Sequence, residues 1–238
     1  AGYRELDRFE FDEAIADCRF GRYDGGRLFT MTAPGHPPVL FAKADGDPLV
    51  RSNVAAAGRP DPSLLRFGLW MLFGIAHNPH SVAIHSSVIV RDGRAVLFLG
   101  ESGTGKSTHT RLWREHIAGA RLLNDDSPIV RIVAGTPTVF GSPWSGKTPC
   151  YRNESYPIAA FVRLTQAPRN RIERLPVLQA IGALLPSCPP AFAYDATLQD
   201  NICNTLSQAI ARVPVYRLEC LPDADAARLS FETTLQAR

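Results

Sequence analysis

Apolar positions along the chain alternate between two periods, and the switches between them mark out its elements. Residues 1–60 carry short β-like runs, Leu28-Phe29-Thr30-Met31 and Val39-Leu40-Phe41-Ala42, set apart by Gly and Pro clusters such as Pro34-Gly35-His36-Pro37-Pro38. This stretch reads as a small β-rich N-terminal lobe, with the remainder, 61–238, as the main domain. At Asp61-Pro62-Ser63 the pattern changes to a helix start, after which Leu64, Leu65, Leu69, Leu72 and Phe73 recur at helical spacing as far as about His77. The polar side of this helix has no cluster of Lys or Arg, so its stripe reads as a core face rather than a membrane-surface face. We expect it to pack against the domain that follows.

Two apolar, β-branched runs come next, Val82-Ala83-Ile84-His85-Ser86-Ser87-Val88-Ile89-Val90 and Ala95-Val96-Leu97-Phe98-Leu99, with Arg91-Asp92-Gly93-Arg94 between them. Asp-Gly in that position predicts a tight hairpin. The second run therefore pairs antiparallel with its immediate predecessor, whereas in βαβ nucleotide folds the corresponding strand sits in a helix-linked parallel sheet. Lys106 to His116 reads as a helix and Arg121-Leu122-Leu123 as a short strand. Ile129 to Val133 and Thr138 to Phe140 read as a second hairpin, and Ile158 to Leu164 as a further strand. Pro176 to Leu185 is helical in pattern, and Leu198, Ile202, Leu206 and Ile210 lie on one helix face. Val213 to Leu218 is strand-like, and Asp223 opens a closing helix. The fold class is α/β in the mixed, α+β sense.

Composition narrows the partners. At 238 residues and 45% apolar the chain can bury a sizeable core. A net charge of +3 with interspersed signs provides no polyelectrolyte face for nucleic acid or for an anionic membrane. The Arg163, Arg169, Arg171 and Arg174 series reads as a solvated basic face before it reads as a polyphosphate contact. Five cysteines without C-x-x-C spacing fit free thiols in a reducing cytoplasm, and the first residues show no signal-peptide profile. The expected location is cytoplasmic.

The chemistry concentrates after Leu99. Gly100-Glu101-Ser102-Gly103-Thr104-Gly105-Lys106-Ser107 matches the phosphate-cradling pattern G-x-x-x-x-G-K-[ST] at every fixed position, with a strand before it and a helix after it. Glycines let successive backbone N–H groups converge on phosphate oxygens at a helix N-terminus. Lys106 adds a point charge and Ser107 a metal-directed hydroxyl. The expected ligand is ATP with Mg2+, or Mn2+ in its place. Phosphoryl transfer also needs a carboxylate for the metal and a group to take the acceptor's proton. Asp125 and Asp126, at the end of a predicted strand, offer both, although an Asn-Asp-Asp-Ser-Pro turn taken alone would as readily cap that strand. Which carboxylate does which job stays open.

The series Ile84-His85-Ser86-Ser87, hairpin, Gly100-x-Ser102-Gly103-Thr104-Gly105-Lys106-Ser107-Thr108, then Asn124-Asp125-Asp126 resembles the shared core of HPr kinase/phosphorylase and ATP-dependent phosphoenolpyruvate carboxykinase. The resemblance covers roughly residues 82–165. It implies a P-loop core of that type, with Lys106 on the β and γ phosphates and Ser107 and Asp125 at magnesium. It further implies Asp126 as proton acceptor, with a share in the metal site, and His85 beside the metal or the transferred group. Without it, a lone histidine in a β-run is more often a packed core residue. More loosely, Gly141-Ser142-Pro143-Trp144-Ser145-Gly146-Lys147-Thr148 and Tyr151-Arg152-Asn153-Glu154-Ser155-Tyr156-Pro157-Ile158 resemble two carboxykinase segments, which implies phosphate contacts for Lys147 and, one residue out of register, Arg152. No block for carboxykinase carbon chemistry can be matched. The resemblance thus implies a compact kinase acting on a hydroxyl, foremost a serine of a protein or peptide. Two other classes stay open: a nucleotide-responsive binding module without transfer, and a carboxykinase-like phosphotransferase for a small metabolite such as free serine. Self-association is implied by analogy alone.

Overall fold

A computed structural model of the protein describes residues 2–11, 15–47, 49–54, 62–146, 148–189 and 194–236. The chain forms two compact units, Ala1–Pro79 with Pro189–Asn201, and His80–Cys188 with Ile202–Arg238. Both combine sheets with helices, and the protein is mixed α/β. No helix among the described residues is long and apolar enough to cross a membrane.

The first unit is an antiparallel meander of β1 (Arg4–Phe11), β2 (Ala16–Tyr23), β3 (Gly26–Thr32), β4 (Val39–Ala44) and β5 (Val50–Ser52). Alternation sends Ala16, Cys18, Phe20, Phe29, Met31, Val39 and Phe41 to one buried face. That face is covered by α1 (Pro62–His77) through Leu64, Met71 and Ile75. The helix therefore packs on the strands that precede it, where the sequence led us to expect the domain that follows. Gly68 permits the close approach. A Cβ there would stand 2.6 Å from the Phe41 ring and 2.9 Å from the Met31 methyl, so only a glycine lets the helix come this close. Arg27 of β3 forms a buried pair with Asp195, which also accepts the Leu198 N–H at 3.1 Å.

The second unit is built on a nine-stranded sheet. In chain order its elements begin with β6 (Ser81–Ala83), β7 (Ser86–Arg91), β8 (Arg94–Leu99), α2 (Lys106–His116) and β9 (Arg121–Asn124). There follow β10 (Ile129–Val133), β11 (Thr136–Phe140), β12 (Ser155–Gln166), β13 (Arg171–Arg174), α3 (Val177–Leu184), the part of α4 (Ala196–Ile210) from Ile202 onward, β14 (Val215–Cys220) and α5 (Ala224–Phe231). The β7–β8 hairpin forms as its sequence predicts, with Asp92 and Gly93 both at positive φ, 49° and 70°. Its neighbours were not legible: β9 pairs antiparallel with β7, and β12 pairs in parallel with β8 on one edge and with β14 on the other. Ala95 to Leu99, all buried, fill the sheet's middle.

The run Val82 to Val90 divides where a single strand was expected. Ile84 and His85 lie outside both β6 and β7, because the Ile84 N–H bonds to Pro128 O and the His85 N–H to Ser187 O. The backbone here leaves β10 for β8 and β9, and His85 sits at the changeover.

Behind the sheet, Phe98, Leu112, Trp113, Val162, Leu218 and Phe231 form the centre of the core. The Trp113 ring meets Phe98 and Phe231 edge to face, and its Nε1 donates to Ser230 Oγ at 2.8 Å, so the indole is buried with its one polar atom satisfied.

Candidate functional site

Between β8 and α2 the chain turns through Gly100 to Gly105. Gly100, Gly103 and Gly105 hold φ of 151°, 82° and 99°, which side chains other than glycine rarely adopt. At Gly100 a Cβ would also lie 2.4 Å from Thr104 Oγ1. That hydroxyl donates to Glu101 O at 2.9 Å, closing the loop on itself. Two residues of β12 tie it from outside: Arg163 pairs with the Glu101 carboxylate at 2.7 Å, and Gln166 Nε2 donates to Gly103 O at 3.2 Å.

Lys106 opens α2 with its side chain folded back under the loop, donating to Gly100 O at 2.8 Å and Glu101 O at 3.2 Å. An ammonium has three protons, so one stays available for a further acceptor. Burial pulls the Lys106 pKa below its ordinary value, while Asp126, Glu101 and Asp125 push it back up and Arg163 lowers it. Both predicted carboxylates therefore stand within electrostatic reach of the loop lysine. Ser107 and Thr108 occupy the first turn of α2, and among the described residues neither hydroxyl forms a hydrogen bond.

The two aspartates differ sharply in surroundings. Asp125 is buried, and each of its oxygens is held: Ser87 Oγ donates to Oδ1 at 3.0 Å and the Thr148 N–H to Oδ2 at 2.9 Å. Ser87 Oγ also lies 3.2 Å from Thr110 Oγ1, whose own proton goes to Ser107 O. Asp126 is partly exposed. Its N–H is fixed by Asn124 Oδ1 at 2.8 Å, its Oδ1 accepts from Ser127 Oγ at 3.0 Å, and His85 Nε2 lies 3.8 Å from the same oxygen. Burial and the Lys106 charge hold His85 below its ordinary pKa, against the opposing pull of Asp126 and Glu101. Its imidazole is therefore largely neutral near neutral pH. His85, Lys106, Asp125 and Asp126, distant in sequence, thus meet at one place.

The segment after β11 explains how the acids are held. Buried Asn124 donates to Ser142 Oγ at 2.8 Å and Trp144 O at 3.3 Å, and Trp144 Nε1 donates to Ser127 O at 2.9 Å. Gly146 lies so close that a Cβ would stand 3.1 Å from Asp126 Cβ and 3.2 Å from Asp125 O. Lys147, a predicted phosphate contact, lies outside the described residues. The Arg152 guanidinium stands 3.6 Å from Glu154, which also pairs with Arg121, and no described contact joins it to the loop or the aspartates. Sequence reading missed Ser87, Thr110, Asn124, Thr148 and Arg163 as supports. The apolar strand carrying Ser87 hid its hydroxyl, and nothing about Thr148 signals a role played by its backbone.

Among the described residues no group of three or more His, Cys, Asp or Glu could hold a metal by itself. The hard oxygen donors present are the Asp125 and Asp126 carboxylates and the Ser107 hydroxyl. This set suits Mg2+, which keeps several waters and takes its remaining ligands from phosphates.

Alongside this centre lies a cavity of about 580 Å³ lined by Gly103, Thr104, Gly105, Thr108 and His109 on the loop side. Leu164, Gln166 and Ala167 line it from the end of β12, and Cys220, Leu221 and Pro222 from the end of β14. It thus opens at the carboxyl ends of the parallel strands β8, β12 and β14, where open α/β sheets take their ligands.

No protein-family model matches the chain, and none of the curated proteins does. Among solved structures the chain is similar to the Hpr(Ser) kinase/phosphatase from Coxiella burnetii, at 15% sequence identity over 64% of this chain and 87% of that one, with a TM-score of 0.36.

Proposed function

We propose that the protein is a Mg-ATP-dependent kinase that moves the γ-phosphoryl group to a hydroxyl, in the first place a serine of a protein or peptide. The reading is carried by the meeting of Lys106, Asp125, Asp126 and His85 at the glycine-rich loop. The loop N–H groups and the third Lys106 proton receive the phosphate oxygens, where positive charge offsets what develops during transfer. Asp125 and Ser107 would hold a magnesium ion, which would supply positive charge against the phosphate oxygens.

The surroundings of the two acids support a division of labour that the sequence left open. Asp125 has both oxygens tied by neutral donors and so is fixed in position, as a metal ligand needs to be. Asp126 is partly exposed and stands beside the neutral His85, placed to accept a proton from an incoming hydroxyl. In the reaction the bond from the γ phosphorus to the β–γ bridging oxygen breaks, a bond from phosphorus to the acceptor oxygen forms, and the hydroxyl proton passes to Asp126. The acceptor class rests on the sequence resemblance alone.

Purified protein incubated with γ-labelled ATP, magnesium, serine-containing peptides and free serine tests the reading. We expect labelled phosphoserine, abolished by Lys106→Ala and reduced about 10²- to 10⁴-fold by Asp126→Asn. Undiminished transfer by either variant would refute the assignment. ATP binding without any phosphorylated product would leave a nucleotide-responsive binding module in its place.

A further inference from the structure

We propose that the cavity beside the loop is a base-binding subsite that selects purines carrying a 6-amino group, with His109 Nδ1 as the acceptor that reads that group. This rests on the phosphate-binding reading above and gives it its nucleotide specificity. A triphosphate seated on the loop extends its nucleoside toward one side of α2, and the cavity is already there, touching the loop at Gly103 to Gly105 and the helix at Thr108 and His109. Its volume of about 580 Å³ lies within the range of ~300–1,000 Å³ usual for small-molecule sites. Leu112, Leu164, Ala167 and Pro222 supply apolar surface for the faces of a flat ring.

The polarity of the site follows from a proton count at Ser230. Its hydroxyl accepts from Trp113 Nε1 at 2.8 Å and donates its single proton to Ala227 O at 3.0 Å, a carbonyl that can only accept. His109 Nε2 lies 3.0 Å from the same oxygen, so for all three contacts to be hydrogen bonds the imidazole must be the donor there. The proton then sits on Nε2, and Nδ1, without a partner among the described residues, is the acceptor of a side chain only 3% exposed that lines the cavity. An unpartnered acceptor on a side chain so little exposed favours a ligand that brings a donor, and a purine 6-amino group is one. A 6-oxo purine presents an acceptor instead, leaving two lone pairs opposed and Nδ1 unsatisfied.

Equilibrium binding of ATP, ITP and inorganic tripolyphosphate to the purified full chain with magnesium tests the proposal, since ATP and ITP differ in the 6-substituent and the N1 proton that goes with it, and tripolyphosphate has no base. We expect the wild type to bind ATP about tenfold or more tighter than ITP. His109→Phe, which keeps a ring against Phe98 but has no acceptor, should bring that ratio near one. His109→Asn, whose amide oxygen can stand in for Nδ1, should restore part of it. Ala167→Trp, which fills the cavity from the end of β12, should lower ATP affinity relative to tripolyphosphate about tenfold, a readout that survives if the His109 variants fold poorly. Equal affinity for ATP and ITP in the wild type would overturn the subsite, as would an unchanged preference in both His109→Phe and Ala167→Trp. In either case, tripolyphosphate binding that Lys106→Ala weakens would leave the phosphate reading standing. Failure of the wild type to bind either ATP or tripolyphosphate would overturn both.

Discussion

Acidification should destabilise this protein through His109. The ring lies in the first turn of α2, 3% exposed, edge to face with Phe98 and bonded to Ser230, so a positive charge there would have little water and no counter-ion in contact. Burial pushes its pKa from 6.5 to about 4, with only Asp223 pulling it back up. As pH falls from about 6.5, the unfolded chain takes up a proton that the folded chain refuses, so the unfolding free energy declines. The loss is absent above the unfolded value and complete below about 4, where both states bind the proton. Over the whole window it amounts to about 3 kcal/mol, of which about 2 is gone by roughly pH 5, a large share of the stability of a typical domain. Urea unfolding of wild type and His109→Phe at a series of pH values measures it. The difference between the two curves isolates the site, because His85, which is also held below its ordinary value, contributes equally to both. Parallel curves between about pH 7 and pH 4.5 would refute the reasoning, as would an imidazole NMR signal for His109 that titrates near its ordinary value.

Two further outcomes test how the acids are held. Gly146→Ala places a methyl 3.1 Å from Asp126 Cβ and 3.2 Å from Asp125 O, so the turn must give by several tenths of an ångström. We expect a stability loss of about 1 kcal/mol and, on the kinase reading, single-turnover transfer about 10- to 100-fold slower; full activity would mean that the turn yields freely. Ser87→Ala removes the hydroxyl that donates to Asp125 Oδ1 and leaves a buried carboxylate oxygen short of a donor. The urea midpoint should fall by an amount equivalent to about 1–2 kcal/mol, and an unmoved midpoint would show that this bond does not hold the acid.

Local signals carried the elements, and non-local ones carried the site. Asp92-Gly93 announced its hairpin because the turn demands positive φ at two adjacent positions, a property of the dipeptide itself. Gly105-Lys106-Ser107 likewise announced a loop entering a helix. The β1–β2 hairpin was harder to see as separate strands, since its exposed face alternates charges that meet across it, Arg8 with Asp17 among them, and such stretches read as loop. β13 escaped for the same reason: Arg171-Ile172-Glu173-Arg174 looks like a solvated basic tract until β14 is beside it. No residue type in β8 names β12 as its parallel neighbour, because that choice depends on how the intervening chain returns.

His109 shows where a motif stops speaking. The pattern G-x-x-x-x-G-K-[ST] fixes the residues that would face phosphate and ends at Ser107, so the histidine two positions on passed as an ordinary helix residue. Its chemistry is set by a serine far along the chain: Ser230 Oγ accepts a hydrogen bond from Trp113 Nε1, donates its own to Ala227 O, and leaves His109 no role at Nε2 but that of donor. One hydroxyl in α5 thereby determines which nitrogen of a ring in α2 is an acceptor beside the loop. Removing it should therefore act at a distance. Ser230→Ala leaves Trp113 Nε1 and His109 Nε2 without their shared partner and frees the imidazole to exchange tautomers, so the ATP-over-ITP preference should decline even though Ser230 does not line the cavity. Retention of the full preference in a folded Ser230→Ala protein would show that the tautomer is fixed by something other than this hydroxyl.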